Sequence, residues 1–393
     1  MADALLALNA GSSSLKFALY RIGGADRLAR TATGQIEGIG TAPHLTARDA
    51  AGEACFEHRW PDGARLGHEV LFGELFGRIE RLLGGERLVA VGHRIVHGGD
   101  EFVRPAALTE AVLRRLDELV ALAPLHQPHN LAAVRAVAAA RPHLPQIGCF
   151  DTAFHHKMPA AARRFGLPAS VAGADIRRYG FHGLSYEYIA GELATLASDL
   201  ERVVVAHLGN GASLCALRGG RSIDTTMSLT PLDGLLMGTR CGALDPGVVL
   251  YLLRRGMSAD EVEDLLYHRS GLFGVSGFSS DMRELLASPG SEAKAAIELF
   301  VYRCARETAA LAASLGGLDA IVFTAGIGEH APAIRAAVAE RLAWLGIEID
   351  AAENARNATR IGTPESRVAV LVVPTDEQLM IARHTLAAIE KAG

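Results

Sequence analysis

Residues 200–224, "LERVVVAHLGNGASLCALRGGRSID", run from an apolar stretch through a turn of small residues into a second apolar stretch. Residues 4–26, "ALLALNAGSSSLKFALYRIGGAD", follow the same course. Short β-rich runs punctuated by Gly and Ser read as strand, turn and returning strand. The chain therefore restarts near residue 200, and two related halves are expected, each opening on a hairpin.

The segments around the hairpins alternate strands with helices. In "HEVLFGELFGRIERLLGG", residues 68–85, apolar side chains recur at helical spacing and Gly84-Gly85 supplies the stop. "RLVAVGHRIVHGGD", residues 87–100, reads as a buried strand entering a glycine turn, and "LTEAVLRRLDELVALAPLH", residues 108–126, as a helix capped by Thr109 with Pro124 near its end. Later come a long helix in "EAKAAIELFVYRCARETAALAASLGG" (292–317), a buried strand meeting a glycine turn in "LDAIVFTAGIGEH" (318–330), and strand, turn and closing helix in "RVAVLVVPTDEQLMIARHTLAAIEKAG" (367–393). The expectation is an α/β protein with one domain over 1–150, completed by a C-terminal helix at 380–393, and a second over 151–379.

Composition narrows the partners. With 393 residues, 49% hydrophobic and 21% charged, the chain is globular in type and long enough for more than one core. A net charge of −5 without a basic run argues against nucleic acid. Five scattered cysteines without a C-x-x-C pair argue against disulfides and structural zinc. The N-terminal stretch lacks a basic lead-in, and no run approaches the roughly 20 apolar residues of a membrane span. A cytoplasmic protein acting on small molecules, with no nucleic-acid or membrane partner, is expected.

Polar clusters at strand ends are the candidate chemistry, because ligands of open α/β sheets bind there. No G-x-x-x-x-G-K-[ST] occurs, which excludes a P-loop. Two Gly and Ser turns, one per half, could instead grip nucleotide phosphates through backbone N–H groups and hydroxyls. Gly326-x-Gly328-x-x-Ala331, between a strand and a helix with Glu348 and Asp350 beyond, meets the formal dinucleotide fingerprint, so an NAD-dependent dehydrogenase is the rival from another enzyme class. Too little chain follows that motif for a complete dinucleotide domain.

The ordered series "NAGSSSLKF", "GHRIVHGG", "FDTAFH", "YGFHGLS", "HLGNGAS", "TTMSLTPLDGLLMGTRCGALDPG", "FTAGIGE" and "PTDEQ" resembles the acetate and propionate kinase family of the sugar-kinase, Hsp70 and actin superfamily. The resemblance spans nearly the whole chain. It implies two duplicated ribonuclease-H-like, actin-like domains with an interdomain active-site cleft, and magnesium-dependent phosphoryl transfer from ATP to acetate, giving acetyl phosphate and ADP. Propionate kinase is the alternative within the family, butyrate kinase a more distant one, and an ATP-binding chaperone-like module the non-enzyme alternative.

A carboxylate acceptor is already ionised at neutral pH, so no general base is needed and the burden is electrostatic. The resemblance implies catalytic roles for Asp151, His182 and Arg240, with Asp151 orienting an arginine or a magnesium-bound water. It implies substrate contacts from Arg94, Val96, Leu125, Phe181 and Pro231. Nucleotide contacts are implied for Lys16, for His207, Leu208, Gly209, Asn210 and Gly211, for Asp281, Met282 and Arg283, and for Gly326, Ile327, Gly328, Glu329 and His330. Met282 and His330 depart from the family's usual residues, and both are expected toward the base. Asn9 and Glu377 correspond to magnesium positions, and the family implies a homodimer.

Overall fold

A computed structural model describes residues 2–11, 14–23, 27–60, 66, 68–173 and 175–392. The contacts divide the chain into two units, Met1–Ala153 with Asp376–Gly393, and Phe154–Thr375.

The first unit is built on β1 (Asp3–Ala10), β2 (Ser14–Ile22), β3 (Leu28–Glu37), β4 (His44–Asp49), β5 (Ala54–Arg59), β6 (Arg87–Ile95), β7 (Ala106–Ala107) and β8 (Gln146–Phe150). They form one sheet in the order β5-β4-β3-β2-β1-β6-β8-β7. β1 to β5 run as an antiparallel meander, and β6 and β8 add in parallel. Alternation assigns the faces. Leu6, Leu8, Leu15 and Phe17 pack under the helices His68–Leu82 and Gln127–Ala140, through Leu71, Phe72, Leu75, Ala133 and Val137. The opposite face, which carries Asn9, receives the C-terminal helix Glu377–Ala392.

That helix lies close because β6 has a glycine beneath it. A Cβ on Gly92 would fall 2.1 Å from Thr385 Oγ1 and 2.6 Å from Ile381 Cγ2. The close approach fixes the height at which Glu377, the first residue of the helix, meets the sheet.

The second unit contains β9 (Arg202–Leu208), β10 (Ala212–Arg218), β11 (Arg221–Thr225), β12 (Ala320–Thr324) and β13 (Ala369–Val372), ordered β11-β10-β9-β12-β13. β9 to β11 are antiparallel, while β12 and β13 add in parallel. This repeats β3-β2-β1-β6-β8 of the first unit, so each unit holds the five-stranded ribonuclease-H-like order. The helix Gly183–Leu196 buries Tyr186, Ile189 and Leu193 against Val203, Val205, Cys215 and Val322. The long helix Ser291–Leu315 packs on β9 and β10 and ends at Gly316, which has φ 70°.

Two local readings change. The helix begun by Thr109, whose hydroxyl accepts from the Val112 N–H, stops at Glu118, and a 3₁₀ turn covers Leu119–Leu122. The Leu119 N–H is shared between the Leu116 and Asp117 carbonyls, which tightens the chain ahead of Pro124. The glycine turn after β12 is instead a short helix, Ala325–His330, entered through Ala325 at φ 63°. The dinucleotide reading of this segment fails on topology, since β13 is the only strand to follow it among the described residues.

Candidate active site

Four expected residues of the first unit form one connected cluster. Arg94, near the end of β6, donates from Nε and Nη2 to Asp151 Oδ2 at 2.9 and 2.5 Å. Its Nη1 donates to Asn9 Oδ1 at 3.1 Å, and the Asn9 amide donates in turn to Glu377 Oε2 at 3.1 Å. The Asp151 side chain is fully buried, and that of Arg94 is 17% exposed. Burial disfavours the guanidinium charge, but the Asp151 and Glu377 carboxylates more than offset this and raise the Arg94 pKa above its usual value. Those contacts use three of the five guanidinium N–H groups and leave one on each Nη for an acceptor. Asp151 thus holds Arg94 in position, and Asn9 links Arg94 to the Glu377 carboxylate.

Lys16 stands directly opposite Asn9 in the β1–β2 ladder, and its exposed side chain shares the Asn9 face. Ser12 and Ser13 of the same turn lie outside the described residues. Val96 is buried, and its N–H donates to Asn130 Oδ1 at 2.9 Å, while the Asn130 amide donates to the Ala10 carbonyl at 2.6 Å. One buried asparagine therefore ties the end of β6 to the end of β1. Leu125 is half-buried, just before the helix Gln127–Ala140.

The second unit assembles a different group. His182 caps the helix Gly183–Leu196 in the left-handed conformation, φ 57° and ψ 25°. This conformation costs a non-glycine residue roughly 1–2 kcal/mol, and such strain collects at functional positions. Its Nδ1 lies 2.8 Å from Ser213 Oγ, and its ring stacks on His207 at 4.2 Å between centroids with 18° between planes. His207 Nδ1 lies 2.8 Å from Ser185 Oγ. His207 and Ser213 face each other across the β9–β10 ladder, one on each side of the turn 208–211.

Arg240 reaches the same turn. A Cβ on Gly211 would lie 3.4 Å from His182 Nε2 and 3.5 Å from Arg240 Nη2, so both groups converge on the glycine's open face. Arg240 Nη1 donates to the Pro231 carbonyl at 2.7 Å, and the Gly238 N–H donates to the Asn210 carbonyl at 2.9 Å. That glycine turn and the arginine loop are thereby laced together. Of its other expected members, Leu208 is buried in the core, Gly209 donates to the Gly211 carbonyl at 3.1 Å, and Phe181 is buried directly before His182.

The remaining expected residues fall into two separate groups. Asp281 caps the helix Met282–Ala287 and pairs with Arg283 at 2.5 Å, which lowers the aspartate pKa and leaves the Arg283 side chain 91% exposed. Met282 is buried, whereas His330 is exposed. In the short helix Ala325–His330, Gly326 is exposed, Ile327 half-buried and Gly328 buried. The Glu329 carboxylate points back into the chain, accepting from the Ala325 N–H at 2.8 Å and the Thr375 N–H at 3.1 Å. Fully buried Arg335 braces this turn through the Gly328 and Glu329 carbonyls, at 2.8 and 2.9 Å. Sequence reasoning missed Arg335, Asn130, Tyr186 and Ser213; Ser213 ends a motif it had singled out, and Tyr186 directly follows another.

No described residues form a cluster of three His, Cys, Asp or Glu around a common point. The donor set beside Arg94, one carboxylate and one amide oxygen, suits magnesium, which keeps waters and phosphate oxygens in its shell.

A family model described as the Acetokinase family matches residues 4–383. An acetate kinase of Rhodopseudomonas palustris is 54% identical over 98% of this chain and 98% of its own length. A solved propionate kinase from Francisella tularensis superposes with a TM-score of 0.90 at 38% identity, over 98% of this chain and 99% of that one. The Porphyromonas gingivalis acetate kinase gives 0.85 at 35% identity, over 98% and 100%.

Proposed function

Because this chain belongs to the acetokinase family, we infer that the enzyme transfers the terminal phosphoryl group of ATP to acetate, giving acetyl phosphate and ADP. An acetate oxygen bonds to the γ-phosphorus as the bond from that phosphorus to the bridging oxygen breaks, and the electron pair leaves on ADP. The observation that carries the phosphoryl chemistry is the convergence of His182 Nε2 and Arg240 Nη2 on Gly211. Two positioned donors beside a glycine turn suit a group whose charge spreads over its equatorial oxygens.

Arg94, held by Asp151, presents its two remaining N–H groups to an anionic oxygen, and no proton need move because acetate arrives ionised. Asp151 is an orienting carboxylate. Val96, Leu125, Phe181 and Pro231 are the acyl-side residues. Lys16 and the turn 207–211 contact phosphate, while Asp281–Arg283 and Gly326–His330 serve the nucleoside side. Within these segments the Met282 side chain packs inward and the Glu329 carboxylate holds its own turn. Asn9 and Glu377 would hold magnesium, which neutralises phosphate charge when bound.

A homodimer and a cytoplasmic location complete the reading. The helix Pro246–Arg254 buries none of its residues and exposes Val248, Leu250, Tyr251 and Leu253, which supports self-association. No described helix is long and apolar enough to cross a membrane. Sedimentation velocity at micromolar concentration tests the dimer.

Trapping acyl phosphate with hydroxylamine, with acetate, propionate, butyrate or no acid, tests the reaction. Acetate is expected to give the highest kcat/KM. Propionate is the second reading, favoured by the likeness to the Francisella enzyme. One methylene changes binding by only about 1–3 kcal/mol, so propionate should turn over more slowly rather than not at all. Absence of acid-dependent turnover would refute the kinase assignment.

A further inference from the structure

His182 does not stand alone. Behind its Nδ1 runs a buried chain of two hydroxyls, with Ser213 Oγ 2.8 Å from the ring nitrogen and the Tyr186 hydroxyl 2.5 Å from Ser213 Oγ. Ser213 and Tyr186 are both fully buried. Burial holds the phenol pKa well above its usual value, so Tyr186 keeps its proton.

The direction of this chain follows from proton counting. Ser213 is the one hydrogen-bond partner of the Tyr186 hydroxyl among the described residues, so the phenol proton points at Ser213 Oγ. Ser213 has a single hydroxyl proton, and with its oxygen accepting from Tyr186 that proton is directed at His182 Nδ1. Nδ1 is then an acceptor and the ring proton resides on Nε2, the nitrogen that faces Gly211. The reverse polarity, or an imidazolium, would place N–H on Nδ1; Ser213 Oγ would then accept from both His182 and Tyr186, and the buried serine proton would be left with no acceptor among the described residues.

We propose that Tyr186 and Ser213 are positioning residues for phosphoryl transfer: the Tyr186 hydroxyl, relayed through Ser213, locks His182 as a neutral imidazole protonated on Nε2. His182 then enters the reaction as an oriented hydrogen-bond donor, and Arg240 supplies the positive charge. The inference rests on the role given to His182 above.

The test combines selective 15N-histidine NMR with kinetics. In the wild type, the His182 ring, assigned by its absence in His182→Gln, is expected to show a protonated Nε2 and an unprotonated Nδ1. Tyr186→Phe removes one oxygen, and it should give a mixture of tautomers. Tyr186→Phe and Ser213→Ala should each lower kcat by about 10- to 100-fold, as loss of an orienting outer partner does, with KM values within about 2-fold. The double variant should be no slower than Ser213→Ala, because both act through one chain. In a His182→Ala background, Tyr186→Phe should have no further effect. If His182→Ala itself turns over normally, the role of His182 fails and this inference with it. If His182→Ala is slow while Tyr186→Phe leaves tautomer and kcat unchanged, the relay alone is overturned. A Tyr186→Phe loss that persists without His182 would equally overturn it, by assigning the tyrosine to packing.

Discussion

Gly211→Ala separates fold from chemistry. Gly211 is not among the glycines with positive φ, so alanine can adopt its backbone without strain. The new methyl carbon would sit 3.4 Å from His182 Nε2 and 3.5 Å from Arg240 Nη2, ordinary contact distances that the free protein can accommodate. A phosphoryl oxygen must come closer, to about 2.7–2.9 Å as in a charge-assisted hydrogen bond, and on this face it would meet the methyl group. A hydrogen bond to a charged group is worth about 1.5–3 kcal/mol, so losing the better part of two costs about 3 kcal/mol, or roughly 10²-fold in kcat/KM. Stability should move the other way, by about 0.4–1 kcal/mol, because alanine restricts the unfolded chain. The assay is hydroxylamine-trapped acetyl phosphate beside a thermal melt. A folded variant with wild-type kcat/KM would remove the open face of Gly211 from the mechanism, and a melt lowered by several degrees would mean the space was not free.

Three other perturbations probe the supports of the site. Gly92→Ala drives a methyl into Thr385 and Ile381, and overpacking of this kind costs about 1–3 kcal/mol; the closing helix must shift, so the magnesium concentration for half-maximal rate should rise along with the loss in denaturant midpoint. Asp151→Asn leaves the Arg94 guanidinium without its carboxylate; breaking a buried pair costs about 3 kcal/mol, and kcat should fall while KM for ATP changes little. His93, bonded to Gln146, and His155, bonded to Ser222 and the Phe181 carbonyl, are buried, and burial pulls each pKa from 6.5 down to about 4. The folded state then binds fewer protons than the unfolded one, so their contribution is complete above pH 6.5 and is lost as pH falls toward 4, at about 1.4 kcal/mol per unit for each histidine. Urea midpoints at pH 7.5 and 5 measure this, and equal midpoints would contradict it.

The repeat was legible because strand, small-residue turn and returning strand leave the same trace wherever they occur, and the sheet of each unit does open on such a hairpin. The extension of the first sheet through β5 was not, because Ala54–Arg59 contains no fully buried residue and its edge position imposes little pattern. The short helix at Ala325–His330 escaped for another reason. A glycine pair reads as a turn, and what makes it helical is the Glu329 carboxylate folded back onto the Ala325 and Thr375 N–H groups, a contact between segments 46 residues apart.

The site divides along the same line. The polar candidates Arg94, Asp151, His182 and Arg240 stand out in a motif because glycines and turns surround them. Residues that orient them do not. Tyr186 falls at an apolar position of its helix and Ser213 in a buried strand, so each passes for core, and by burial each is core. Their second role depends on where one hydroxyl proton points. That is set by the β9–β10 register, which puts Ser213 opposite His207, and by the left-handed turn that swings His182 over both. A one-residue slip in that hairpin would turn Ser213 to the other face and disconnect the relay while leaving every motif intact. On the proposed mechanism, the motifs encode the set of reacting groups, and the register encodes the protonation state in which His182 meets the phosphoryl group.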